Sequence, residues 1–114
     1  MSAIIRGLGA SRGEAKGPLS LGVGPVPDGA VLLQRDAGAE DADNIRRAAA
    51  LVFTRAGLTG DGAIMARALG KPCVVGLDGL VLFEREGFIE VGGQRIAVGT
   101  ELTVNGSSGE ITLP

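Results

Sequence analysis

Apolar residues in this chain fall in short runs broken by glycine, a rhythm that predicts strands and brief helices rather than long helical stretches. A strand is predicted around Pro18–Val23. After a loop carrying Pro25, Pro27 and Gly29, a second is predicted over Ala30–Gln34. Ala39–Ala49 predicts a helix, with Glu40, Asp41 and Asp43 early and Arg46 and Arg47 late, the polarity that suits a helix dipole. The run Ala50–Thr54 is apolar and short, as expected of a strand buried on both faces. There follow a glycine-rich loop, Thr54–Gly62, and a short helix that is apolar nearly all round and so should be largely buried against a sheet. Gly70 is placed to stop that helix, and Pro72 opens a strand at Cys73–Gly76. Strand, helix and strand in close succession predict a right-handed βαβ crossover.

Beyond Leu80 the rhythm changes. Leu80–Phe83, Phe88–Val91, Arg95–Val98, Glu101–Val104 and Glu110–Leu113 are β-like, separated by Glu86-Gly87, Gly92-Gly93, Gly99 and Asn105-Gly106. This half predicts a small antiparallel meander or barrel edge. The opening Gly7–Gly13, with its spaced glycines, reads as a shaped loop. The fold class is therefore α/β with a β-rich second layer.

Composition narrows the function. The 114 residues suffice for one domain with its own core, and residues 1–114 are expected to form it. Aromatic residues are 3% of the chain, so the core must be built from Val, Leu, Ile and Ala. With 11 basic and 13 acidic residues mixed along the chain, no basic patch points to nucleic acid. No apolar run approaches a membrane span, and the start lacks a signal-peptide core. The single cysteine, Cys73, lies in an apolar run; it is expected to be a buried structural thiol, in a cytoplasmic protein. There is no histidine at all. That absence removes imidazole base catalysis, histidine metal ligation and phosphohistidine together, and no metal or cofactor is expected.

The glycine-rich loop carries the one chemical signal. A loop leading into a helix N-terminus exposes backbone N–H groups that form an anion site with the helix dipole. Gly57, Gly60 and Gly62 would let a bulky anion approach the backbone, with Arg55 and Arg67 near by. Thr59 and Asp61 stand near the first turn, where one of them would cap the helix, a contribution of about 1 kcal/mol that needs no function. The functional alternative is that the loop holds or receives a phosphoryl group.

Gly57-Leu58-Thr59-Gly60-Asp61-Gly62-Ala63-Ile64-Met65-Ala66-Arg67, followed by Gly70-Lys71-Pro72-Cys73-Val74-Val75-Gly76, resembles the phosphohistidine segment of phosphoenolpyruvate-utilising enzymes. In that family the segment reads Gly-Gly-Met-Thr-Ser-His-Ala-Ala, two apolar residues, Ala-Arg, and then Gly-x-Pro-Cys-Val-x-Gly. Gly7-Leu8-x-Ala10-Ser11-x-Gly13-x-Ala15-x-Gly17 resembles the family's domain start. Glu90–Gly93 and Val104–Ile111 resemble its ending, most closely in the pyruvate phosphate dikinase branch. The resemblance covers nearly the whole chain. It implies a three-layer β/β/α swivelling-domain fold, in which a histidine takes a phosphoryl group at a nucleotide-binding domain and delivers it to a pyruvate/phosphoenolpyruvate barrel.

The chemical positions depart from that pattern. The family histidine falls on Asp61, the preceding serine on Gly60 and the following alanine on Gly62, while Arg55, Thr59 and Arg67 remain. Thr59 matches a threonine that a regulatory kinase modifies in some dikinases. An acyl phosphate on Asp61 would need a cation held by neighbouring carboxylates, and the nearest along the chain are Asp43 and Asp78. The expectation is a free-standing swivelling domain that is not catalytic alone. It would serve as an interaction or regulatory module for a nucleotide-binding or barrel protein on another chain. Two alternatives stay open: a phosphocarrier of a split phosphotransferase using Asp61 or Thr59, and a non-covalent anion-binding domain.

Overall fold

A computed structural model describes residues 3–114. Eight strands form one mixed sheet in the order β1-β11-β10-β3-β4-β5-β6-β2, and three more form an antiparallel meander, β7-β8-β9. The strands are β1 (Ala3–Arg6), β2 (Leu8–Ser11), β3 (Glu14–Ser20), β4 (Val31–Gln34), β5 (Ala50–Phe53) and β6 (Cys73–Val75), then β7 (Leu80–Phe83), β8 (Phe88–Val91), β9 (Gln94–Ala97), β10 (Glu101–Asn105) and β11 (Glu110–Leu113). Two α-helices, α1 (Ala42–Arg47) and α2 (Asp61–Leu69), connect the parallel strands.

Strand β3 links the two halves of the large sheet. Its residues Glu14–Pro18 pair antiparallel with β10, and Leu19 and Ser20 pair parallel with β4. Parallel pairing continues through β5 to β6, with α2 between these two as the expected β-α-β unit. The ends of the sheet order, β1 and β2, are joined by Gly7 alone, so the sheet curls back on itself. Gly7 N–H donates to the Gly109 carbonyl at 2.9 Å, and Gly106 N–H to that of Gly13 at 2.8 Å. A side chain is excluded at this seam, because a β-carbon on Gly106 would lie 1.7 Å from the Ser11 carbonyl oxygen.

Strands β4 to β6 bury both faces. Val31, Leu33, Ala50, Val52 and Val74 pack with Leu102, Val104 and Ile111, and with Leu82, Ile89 and Ile96 of the meander. The alternate residues Leu32, Leu51, Phe53, Cys73 and Val75 pack with Ile45 of α1 and Ala63 and Ala66 of α2. This explains the unbroken apolar run at Ala50–Phe53: period-two alternation still operates, but each face meets an apolar layer.

Several expectations are corrected. Gly7–Gly13 is not a loop; Leu8–Ser11 is an edge strand, antiparallel to β6 with an irregularity between Gly9 and Ser11. Its glycines reflect close approach at the seam, since a β-carbon on Gly9 would lie 2.4 Å from the Gly106 carbonyl oxygen. The strand expected at Pro18–Val23 runs instead over Glu14–Ser20, because pairing with β10 extends it backward and Gly22, with φ 76°, turns the chain. The helix expected over Ala39–Ala49 is a single 3₁₀ turn, Ala39–Asp41, followed by α1. It ends early because Ala49 N–H is taken by the Ala30 carbonyl at 2.8 Å, pulling the chain into β5. Lys71 Nζ closes the helix end by donating to the carbonyls of Arg46 and Ala48. Among the described residues, no helix is long and apolar enough to cross a membrane.

Candidate functional site

The glycine-rich loop leaves β5 at the carboxyl end of the parallel strands, where open α/β sheets place their ligands. Thr54 and Arg55 still follow the sheet, their N–H groups donating to the carbonyls of Gln34 and Arg35, both at 2.9 Å. The chain then turns, Gly60 N–H donating to Gly57 O at 3.1 Å, and α2 begins with Ile64 N–H bonded to Gly60 O at 3.0 Å. The helix ends as expected at Gly70, whose φ of 67° is left-handed.

Gly60 is the residue before the first helical turn, and no side chain caps it. Asp61 is the first helical residue, exposed to solvent, and Thr59 is exposed beside it. The expectation that Thr59 or Asp61 caps α2 is thus overturned. Asp61 lies one residue too far along the chain, with helical rather than flanking backbone, to fold its carboxylate onto the free amides. Its charge still sits in the first turn, where the helix dipole favours an anionic side chain.

The three loop glycines differ in what they do. A β-carbon on Gly57 would meet nothing within 4 Å, and one on Gly60 would lie 3.3 Å from the Gly57 carbonyl oxygen. At Gly62 it would lie 2.6 Å from the Phe53 ring. Gly62 is buried because the helix start is pressed onto the end of β5, whereas Gly57 borders open space.

Arg55 is exposed. Arg67 is held: Nη1 donates to the Ala10 carbonyl at 2.9 Å and Nη2 to that of Leu58 at 2.8 Å. It therefore ties the end of β2 and the loop to the helix. That strap joins elements far apart in the chain and carries no local sequence signal. Asp43 is paired with Arg46, and among the described residues no group of three or more Cys, Asp or Glu side chains is arranged to hold a metal ion.

Helix α2 is less buried than its composition suggests. Gly62, Ala63 and Ala66 face the sheet, but Ile64 and Leu69 are 52% and 44% exposed. Leu58, on the loop, is also 44% exposed. Small residues suffice for the inner face because the helix lies close on the sheet, which leaves the large apolar side chains outside. Cys73, by contrast, is fully buried as expected, and burial pushes its thiol up to about 12 despite the opposing charge of Arg67.

The family described as PEP-utilising enzyme, mobile domain, matches residues 26–109. Pyruvate, phosphate dikinase 2 of Zea mays is 34% identical over 83 residues, covering 73% of this chain and 9% of the maize protein. Pyruvate, phosphate dikinase of Rickettsia typhi is 32% identical over 118 residues, covering 99% of this chain and 13% of that protein. The chain thus spans only a small part of the curated relatives it matches. Among solved structures, a chain of Thermococcus kodakaraensis aconitase X (holo-form) has the same fold, with a TM-score of 0.58 at 17% identity and 96% coverage of both chains.

Proposed function

This chain belongs to the PEP-utilising enzyme mobile-domain family, and from that premise we propose that it works as a docking module that carries no phosphoryl group. In this reading residues 1–114 form one mobile domain with β/β/α layering, supported by the separate apolar layers on the two faces of β4 to β6. Its partner is a nucleotide-binding or pyruvate/phosphoenolpyruvate barrel domain of the pyruvate phosphate dikinase type, on another chain or elsewhere on its own polypeptide.

One observation carries the reading. The loop-and-helix scaffold is kept, together with an exposed apolar face, around a residue that is not histidine. In the segment that resembles the family's, Asp61 takes the histidine position, and the chain has no histidine to replace it. An aspartyl phosphate needs a cation to shield its charge, and among the described residues no group of three or more Cys, Asp or Glu side chains is arranged to hold one. Leu58, Ile64 and Leu69 remain exposed around the loop and along α2, where a partner surface would cover them.

The test is binding, measured by calorimetry, of this chain to the isolated nucleotide-binding and barrel domains of a pyruvate phosphate dikinase. Saturable binding to one of them, weakened more than about ten-fold by Ile64→Lys with Leu69→Lys, is the expected result; buried apolar contacts of this size contribute about 1.5–3 kcal/mol each. Binding to neither, or binding indifferent to both substitutions, would remove the proposal.

A further inference from the structure

A second site lies away from the Gly57–Gly62 loop, between the end of β2 and the carboxyl-terminal half of α2. A cavity of about 530 Å³ is lined there by Ala10, Ser11, Arg12, Arg67 and Gly70. Its lining carries two guanidinium groups and no carboxylate. Arg67 is fixed by its bonds to the carbonyls of Ala10 and Leu58, which engage two of the five N–H donors of a guanidinium. Arg12 is exposed and forms no ion pair among the described residues. Ser11, only 9% exposed, also lines the cavity.

We propose that this cavity binds a small phosphate-bearing anion, either inorganic phosphate or a phosphate monoester, between Arg12 and Arg67 with Ser11 as a neutral donor. Two features point to it. Two guanidiniums lining one cavity repel each other, and an anion between them relieves that repulsion. Guanidinium also presents paired N–H donors that match phosphate oxygens, and Arg67 is already ordered by its carbonyl bonds. The site uses neither Asp61 nor the free amides at the start of α2, so it stands independently of the docking reading.

Titration of the ¹⁵N-labelled chain with sodium phosphate, at ionic strength held constant with chloride, tests it by chemical-shift perturbation. Saturable shifts centred on Ser11, Arg12, Arg67 and Gly70 are expected. Arg12→Ala, a change at an exposed position, should weaken binding at least ten-fold, and Ser11→Ala several-fold, both with the remainder of the spectrum unchanged. A parallel titration with glycerol phosphate separates the two ligand sources. Stronger binding of the ester assigns the site to a phosphorylated metabolite, and stronger binding of the inorganic ion assigns it to free phosphate. Shifts that do not saturate with either probe, that centre on Gly60–Gly62, or that survive Arg12→Ala undiminished would overturn the proposal.

Discussion

The ring of Phe53 occupies the space that a β-carbon on Gly62 would need, its nearest atoms lying 2.6 Å from that position. Phe53 ends β5 and is completely buried; Gly62 is in the first turn of α2. The pair sets how closely the helix start lies on the sheet. In the family segment that this chain resembles, the position of Gly62 carries alanine.

Gly62→Ala is therefore predicted to destabilise the fold, although alanine is the better helix former. The helical gain is about 1 kcal/mol, whereas forcing an atom into a packed contact costs about 1–3 kcal/mol. Urea unfolding should show a net loss for Gly62→Ala alone. In Phe53→Leu, where the ring is gone, the same substitution should cost less or become stabilising. Additive effects in that double-mutant cycle would mean that the two residues do not compete for space.

Arg67→Ala is predicted to loosen the loop as well as lower stability. It removes two charged donors from the carbonyls of Ala10 and Leu58, a loss of about 1–2 kcal/mol for a partly exposed group. Hydrogen exchange should quicken at Gly60, whose amide closes the turn onto Gly57. Arg67→Lys should recover only part of the loss, because an ammonium lacks the guanidinium fork that spans both acceptors. Unchanged exchange at Gly60 would show that the strap does not hold the loop.

Cys73 is predicted to be inert towards thiol reagents at neutral pH in the folded chain and to react readily in denaturant. Burial raises its folded value to about 12 from an ordinary 9.0, so the unfolded chain loses this proton first as pH rises. Above pH 9 the folded state binds more protons than the unfolded one, and stability falls with pH until about 12; below pH 9 the thiol contributes no slope. Cys73→Ser should remove that component of alkaline destabilisation. Because Arg67 opposes the shift, Arg67→Ala should raise the thiol further, delaying its reaction with Ellman's reagent on an alkaline pH series.

Much of this was legible in the sequence, for identifiable reasons. Leu80–Phe83, Phe88–Val91 and Glu110–Leu113 stand where their turn residues place them, because Gly87, Gly92, Gly93 and Gly109 adopt positive φ at the breaks. Strand β2 was hidden because its glycines answer to the distant seam at Gly106, not to local turn chemistry. The burial of α2 was overestimated because the small residues Gly62, Ala63 and Ala66 make its buried face, with Met65 only partly covered. At the loop, the order of residues located the helix start, but Asp61 and Gly60 trade the roles of cap and first residue across a single position. The cavity beside Arg12 and Arg67 had no local signature, since a strand and a helix far apart in sequence form it.

The central claim is that this mobile domain docks without carrying phosphate, and intact-mass spectrometry tests it directly. The chain is incubated with phosphoenolpyruvate, magnesium and the barrel domain of a pyruvate phosphate dikinase, and in parallel with ATP and the nucleotide-binding domain, beside an Asp61→His variant. No covalent phosphoryl adduct is expected on the natural chain under either condition, and an acid-labile adduct is expected on Asp61→His. A hydroxylamine-labile adduct on the natural chain that disappears in Asp61→Asn would contradict it.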